Sequence, residues 1–347
     1  MAKKDKQLLL DFQSQVPVYK QLIQLFSDRI AAGSYRVGEN LPSMNELSAQ
    51  LEISKETVKK VYSILRQRGL IESAHGKGFF VAENGGDRRL NVLMLFDKLS
   101  TYKFVLYQSF IRHAGDRVST TIHLHNQHID VFQGLLEDHL DNYDYYMVTA
   151  HFPLDKKSQA NALKLLKRIP NRKLILLDRF LPELSGNYGA VYQDFGEDVF
   201  HGLMEATKLL KKYEHLHVIA SKGSLYSSVI LKGVRRFCKS TGIAVDIHKE
   251  LSADHITKGG VYFVLNSQLD VELIELVRIA KAKHLTIGKD IGILSYNEAP
   301  INEIILDGLT VLSTDFETMG AKAAEMVLSG NLSKVHNDFN LVVRKTL

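Results

Sequence analysis

Cysteine, tryptophan and proline are scarce in this chain: of 347 residues one is Cys, none is Trp and six are Pro. A single thiol, Cys238, can close no internal disulfide and supports no thiolate metal cluster, which fits a reducing compartment. In its apolar helical setting it reads as a small packing residue. Long apolar runs are missing as well. Nothing approaches the ~20 residues that span a bilayer, and the opening MAKKDKQLLLDF has neither an apolar h-region nor a cleavage site. The expectation is a soluble, cytoplasmic protein with no membrane partner. Low-complexity tracts and solenoid repeats are also lacking. With 45% hydrophobic and 24% charged residues the chain has a globular composition, and its length favours two domains over one.

The net charge of +5 is mild, but it is concentrated. Lys55, Lys59, Lys60, Arg66, Arg68 and Lys77 face only Glu56 and Glu72 within one short stretch, which marks a phosphate-binding face. The punctuation around it is helical. Val18, Leu22, Leu25, Phe26 and Ile30 recur at helical spacing between Pro17 and Gly33. Ser43 with Glu46 forms a capping-box signature ahead of Leu47 and Leu51. Ser54 caps a third helix whose Val58, Val61, Tyr62 and Leu65 face inward, and Gly69 stops it. The LIES and FFVAE segments around His75-Gly76-Lys77-Gly78 then read as a hairpin. Three helices and a basic-tipped hairpin describe a winged helix-turn-helix over residues 1–82.

Residues 83–90, polar and Gly-containing, read as a linker. From 91 to 347 the rhythm changes. Apolar β-type runs at 91–96, 120–125, 143–150, 173–178, 215–220, 261–266 and 291–296 alternate with amphipathic helical stretches. That alternation predicts an α/β domain of one or two doubly wound, mostly parallel sheets, with ligands at the carboxyl ends of strands.

These motifs carry two resemblances. The segment from Val16 to Glu83 resembles the winged-helix domain of GntR-type transcription regulators in the Pro17-x-Tyr19 entry, the Gly38-x-x-Leu41-Pro42-Ser43 turn, the Ser54–Lys59 recognition start and the wing ending Gly76-x-Gly78. It departs where the family has Glu-Arg (here Met44-Asn45) and recognition-helix arginines (here Lys55 and Lys59). The rest is similar to the two-lobed, periplasmic-binding-protein-like effector domain of LacI/GalR-type repressors. The landmarks are Leu177-Asp178-Arg179, Lys232-Gly233, Asn266, Gly292–Asn297, Thr310-Val311, Thr314-Asp315-Phe316 and Met319-Gly320. Ile230 and Asn297-Glu298 depart from that pattern, and the crossover from Val245 to Val261 is short.

The resemblances imply a ligand-responsive repressor acting as a homodimer on operator DNA and released by a sugar or sugar phosphate. Ser43, Asn45, Ser54, Lys55, Thr57, Lys59, His75, Gly76 and Lys77 become the DNA-contact candidates. Lys in place of Arg keeps phosphate affinity but gives up bidentate guanine readout. Strand-end Tyr102, Phe104, Asp178, Arg179, Tyr226, Asn266 and Asn297 become the effector candidates, since a polyol needs amides or carboxylates and an aromatic face in a cleft. Each also has a plainer reading as a cap or a solvated surface residue. His123, His125 and His128 lack a complete ligand spacing, so no metal or cofactor is expected. Enzyme signatures such as a Gly-rich phosphate loop, Gly-x-Ser-x-Gly or His-Glu-x-x-His are missing, so no catalytic residue is assigned. The alternatives are a headpiece fused to a pyridoxal-phosphate enzyme-like domain, for which the chain offers no Schiff-base lysine context, and a co-repressor-type regulator of a non-sugar ligand.

Overall fold

The computed structural model describes residues 10–12, 14, 16–74, 77–82, 89–220, 225–265 and 271–347. It divides into two compact units, Met1–Leu90 and Asn91–Leu347; residues 83–88 of the expected linker lie outside the described residues.

The first unit is the winged helix. Helices α1 (Val18–Ala31), α2 (Met44–Leu51) and α3 (Lys55–Gln67) precede an antiparallel hairpin of β1 (Ile71–Ala74) and β2 (Gly78–Val81). The capping box forms: Glu46 N–H donates to Ser43 Oγ at 3.2 Å and Ser43 N–H to Glu46 Oε2 at 2.7 Å. Between α2 and α3 the chain turns through Glu52 in the left-handed region (φ 53°), and Ser54 Oγ accepts the Thr57 N–H. The inward residues are those of the helical period, with Val58, Val61, Tyr62 and Leu65 fully buried against Leu22, Phe26 and Leu47.

The second unit is α/β and two-lobed. One sheet combines β3 (Leu90–Phe96), β4 (Val118–Leu124), β5 (Tyr145–Thr149), β6 (Leu174–Arg179) and β7 (Gly189–Gln193), with α4 (Thr101–Ala114), α5 (Ile129–His139) and α6 (Lys156–Leu166) in the connections. After α7 (Phe195–Glu205) and α8 (Thr207–Leu210), a second sheet takes β8 (His215–Ile219), β9 (Ala244–His248), β10 (Gly260–Val264), β11 (Gly292–Tyr296) and β12 (Thr310–Thr314). Helices α9 (Ser227–Thr241) and α10 (Val271–Ala282) pack on its faces. Then α11 (Phe316–Ser329) returns to the first lobe against α4, β13 (Lys334–His336) joins β7, and β14 (Phe339–Val342) closes the second sheet antiparallel to β12. Strands β5, β10, β11 and β12 are buried at every position, as parallel strands covered on both faces must be.

Close approach explains two of the glycine landmarks. A Cβ on Gly320 would lie 2.3 Å from Leu106 O of α4, and one on Gly233 would lie 2.2 Å from Gly196 O. The chain therefore crosses between lobes after β7, after β12 and after β13, and Asn337 ties the three crossings together. Its N–H donates to Tyr192 O at 2.7 Å, and its Nδ2 donates to Thr314 Oγ1 at 3.1 Å and to Asp315 O at 2.7 Å.

His125 is a core residue. Its ring stacks on Phe152, Nε2 lies 3.1 Å from Thr149 O, and Nδ1 accepts the Gln127 N–H at 3.2 Å. An imidazole that accepts an N–H on one nitrogen is neutral. Burial pushes its pKa down from 6.5 to about 4, against a smaller upward pull from the Thr149 carbonyl. The unfolded chain gains a proton near pH 6.5 that the fold refuses until about 4, so the stability His125 supplies is present above 6.5 and is lost as pH falls. Denaturant unfolding should show about 2 kcal/mol lost from this residue between roughly pH 6.5 and 5. His125→Phe should flatten the slope by that amount; an identical slope in the variant would exclude the residue as its source.

Candidate nucleic-acid face and ligand cleft

On the first unit, Lys55, Lys59 and Lys77 are exposed, as are Ser43, Asn45 and Ser54, while Thr57 is half-buried. The hydroxyls of Ser43 and Ser54 are engaged as helix caps, and Ser54 Oγ lies 2.8 Å from Thr57 Oγ1. Lys59 has an exposed i,i+3 pairing to Glu56 at 3.6 Å, which holds it weakly. Lys60 instead lies 3.6 Å over the Tyr19 ring, and Arg66 donates to Ser73 Oγ. His75 and Gly76 lie outside the described residues.

In the second unit the carboxyl edge of the first sheet carries a buried ionic cluster. Lys103, fully buried on the first turn of α4, donates to Asp97 Oδ1, and its Nζ lies 4.0 Å from Asp178 Oδ2. Thr149 Oγ1 donates to Asp97 at 2.9 Å, and Gln193 Nε2 donates to Asp178. His151 Nε2 pairs with Asp178 Oδ2 at 3.1 Å. Burial works to raise both carboxyls. The positive charge of His151 and Lys103 and the hydrogen bonds to each outweigh it, and both stay below the ordinary carboxylate range. Gln193 continues the network into the other lobe, where Tyr296 Oη donates to its Oε1 at 2.8 Å.

Beside this cluster opens a pocket of about 230 Å³ lined in part by Arg179, Tyr192 and Gln193 from the first lobe and Phe195, Tyr226 and Val229 from the second. Phe195 and Tyr226 stack with centroids 4.6 Å apart and planes within 6°, making one wide aromatic wall. His151 stands edge-on to Tyr226 at 4.9 Å. Arg179 lies 5.4 Å from the Tyr226 ring, held by Ala150 O at 2.9 Å and Gln159 Oε1 at 2.7 Å. Burial holds the Tyr226 phenol well above its ordinary pKa, so it is a neutral donor. Three buried polar atoms at this end have no hydrogen-bond partner, Tyr226 Oη, Ser100 Oγ and Asn297 Oδ1, whereas His151 Nε2 has its ion pair with Asp178.

Of the effector candidates, Arg179 and Tyr226 line the pocket, and Asp178 sits one shell behind it. Asn297 follows β11 with φ 72° and Asp178 ends β6 with φ 70°, both at strand carboxyl ends. Tyr102 and Phe104 are not brought to the pocket. Tyr102 is buried against Phe316 at 4.6 Å, and Phe104, 46% exposed, pairs with Tyr107 on the outside of α4. Asn266 lies outside the described residues. Sequence reasoning passed over Asp97, Lys103, His151, Gln193 and Phe195. The available signal was a lysine flanked by Tyr102 and Phe104 six residues after a strand-end aspartate.

Residues 18–81 match the family described as bacterial regulatory proteins, gntR family. The HTH-type transcriptional repressor YtrA of Bacillus subtilis (strain 168) is 35% identical over 75 residues, 22% of this chain. The chain spans 58% of that relative's length. A dimeric Lac repressor with an 11-residue C-terminal deletion superposes with a TM-score of 0.59 at 16% identity, covering 74% of this chain and 98% of that one. A LacI family transcriptional regulator from Lactobacillus casei with bound sucrose superposes with a TM-score of 0.57 at 11% identity, covering 74% and 99%. The chain thus joins a GntR-type winged-helix domain to a two-lobed domain with the fold of the LacI-type repressors.

Proposed function

We propose that this protein is a non-enzymatic, cytoplasmic transcription regulator, a repressor that binds operator DNA as a homodimer and releases it on binding a sugar or sugar phosphate. The observation that carries the sensor reading is the Phe195–Tyr226 wall of the cleft with the buried Tyr226 Oη, which has no hydrogen-bond partner. An unmet buried donor or acceptor costs about 1–3 kcal/mol, and Tyr226 Oη sits at the Phe195–Tyr226 wall, with the His151–Asp178 pair edge-on to the ring. A flat aromatic wall ringed by hydrogen-bonding groups suits a pyranose, whose C–H face packs on rings while its hydroxyls pair at the edge. The bound sucrose of the Lactobacillus casei regulator supports the same class of ligand.

Dimer formation is supported by apolar side chains left in solvent on the second lobe, among them Val271, Ile274, Ile301 and Ile304, the last 75% exposed. Two headpieces on one palindromic site multiply affinity without new contacts. Closure of the lobes about the Asn337 crossings would rotate one subunit against the other and change headpiece spacing, which half-sites at fixed separation tolerate poorly.

Two outcomes test this. Lys59→Ala should weaken operator binding across sequences and reduce the slope of log affinity against log salt by about one; anisotropy titrations at several salt concentrations read it, and wild-type affinity in a folded variant removes Lys59 from the interface. Saturating effector should lower operator affinity by about 1–3 kcal/mol of coupling, and operator should lower effector affinity by the same factor. Equal operator affinity with and without effector contradicts regulation through this domain.

A further inference from the structure

The crossover from β9 to β10 carries only a short 3-10 turn, Ala253–His255, where a covering helix would ordinarily lie. Over that part of the sheet sit four histidines. His215 and His217 come from β8, His248 from β9 and His255 from the turn, and their rings form a continuous array with centroid spacings of 4.7, 5.3 and 4.1 Å. Asp246 of β9 is paired in register with His217.

The ligand atoms of His215, His217 and Asp246 all lie within 4.8 Å of one another. His215 Nε2 lies 2.9 Å from Asp246 Oδ2, yet out of line for a hydrogen bond, and this buried nitrogen has no hydrogen-bond partner. His217 Nδ1 is 3.1 Å from His248 Nε2. Donors about 2.0–2.2 Å from one tetrahedral ion stand roughly 3.3 Å from each other, a spacing close to that of His215 Nε2 and Asp246 Oδ2. Imidazole and carboxylate together suit zinc-class ions, whereas calcium and magnesium take all-oxygen shells.

We propose that His215, His217 and Asp246 form a binding site for a divalent transition ion of the zinc class, separate from the effector pocket. The ion would pin edge strand β9 to β8. None of these residues lines the pocket beside Tyr226, so the two sites are independent in their residues.

The test uses the full chain, stripped with chelator and titrated with ZnCl₂ by calorimetry and with CoCl₂ by visible absorption, with MgCl₂ as a control. One equivalent of Zn²⁺ should bind, and Co²⁺ should develop the d–d bands of a low-coordinate nitrogen and oxygen site. His215→Gln and Asp246→Asn change half-buried or exposed side chains and leave the fold intact, as unchanged circular dichroism would register. Each should weaken Zn²⁺ binding about tenfold or more. No saturable Zn²⁺ binding by the wild-type chain, or wild-type affinity in either folded variant, overturns the assignment.

Discussion

An ammonium group held out of water dictates how the second domain is built. Lys103 is fully buried, and an isolated charge there would cost several kcal/mol, so its position requires Asp97 and Asp178 on the neighbouring strand ends. Those carboxylates in turn require Thr149, Gln193 and the edge of His151. Three strands, β3, β5 and β6, are thereby held in register at their carboxyl ends by polar contacts rather than by apolar packing alone. Removing one partner would strand the others, a loss of roughly 3–5 kcal/mol. Such a cluster is weak support for stability in itself, since apolar residues could fill the same volume. Its value here is positional: it fixes where Arg179, His151 and Gln193 meet the pocket.

The same network reaches the moving parts. Gln193 binds Asp178 on one side and Tyr296 of the second lobe on the other, and it immediately precedes the first crossing between lobes. At the third crossing Asn337 bonds to the other two. His336, one residue earlier, lies 2.8 Å from the nearly buried Asp198 of α7, whose carboxyl burial pushes up to about 6. In the proposed reading, a ligand that binds beside His151 alters its pairing with Asp178, which is bonded to Gln193, and the crossings convert that into a change of lobe angle.

The winged helix was legible because its signals are local. A Ser43–Glu46 cap, the Ser54 cap and a 3.6-residue apolar period are each contained in a few residues, and the structure realises all of them. The α/β alternation was legible for the same reason. Strands β13 and β14 were not, since three- and four-residue segments with partly exposed positions carry no period of their own and are defined by the neighbours they join. Asp178, Arg179 and Tyr226 could be found from strand ends and helix entries, whereas Lys103 looks in sequence like any surface lysine of an amphipathic helix. The histidine array was hidden more deeply: His215 and His217 meet Asp246 and His248 only because β8 and β9 are neighbours in the sheet. His123, His125 and His128, close in sequence, offer no complete ligand spacing; in the fold His125 packs on Phe152 and His123 on His139.

The central claim is that the Tyr226 pocket is the place where a polyol is sensed. The most direct measurement is a thermal-shift panel of sugars and sugar phosphates on the full-length wild type and on Tyr226→Ala. At a hundredfold excess over Kd a specific ligand stabilises by about 2.7 kcal/mol, a shift of several degrees in melting temperature. The account predicts at least one compound with such a shift in the wild type and none from that compound in Tyr226→Ala. A panel with no stabilising compound, or a shift that survives the substitution unchanged, would contradict it.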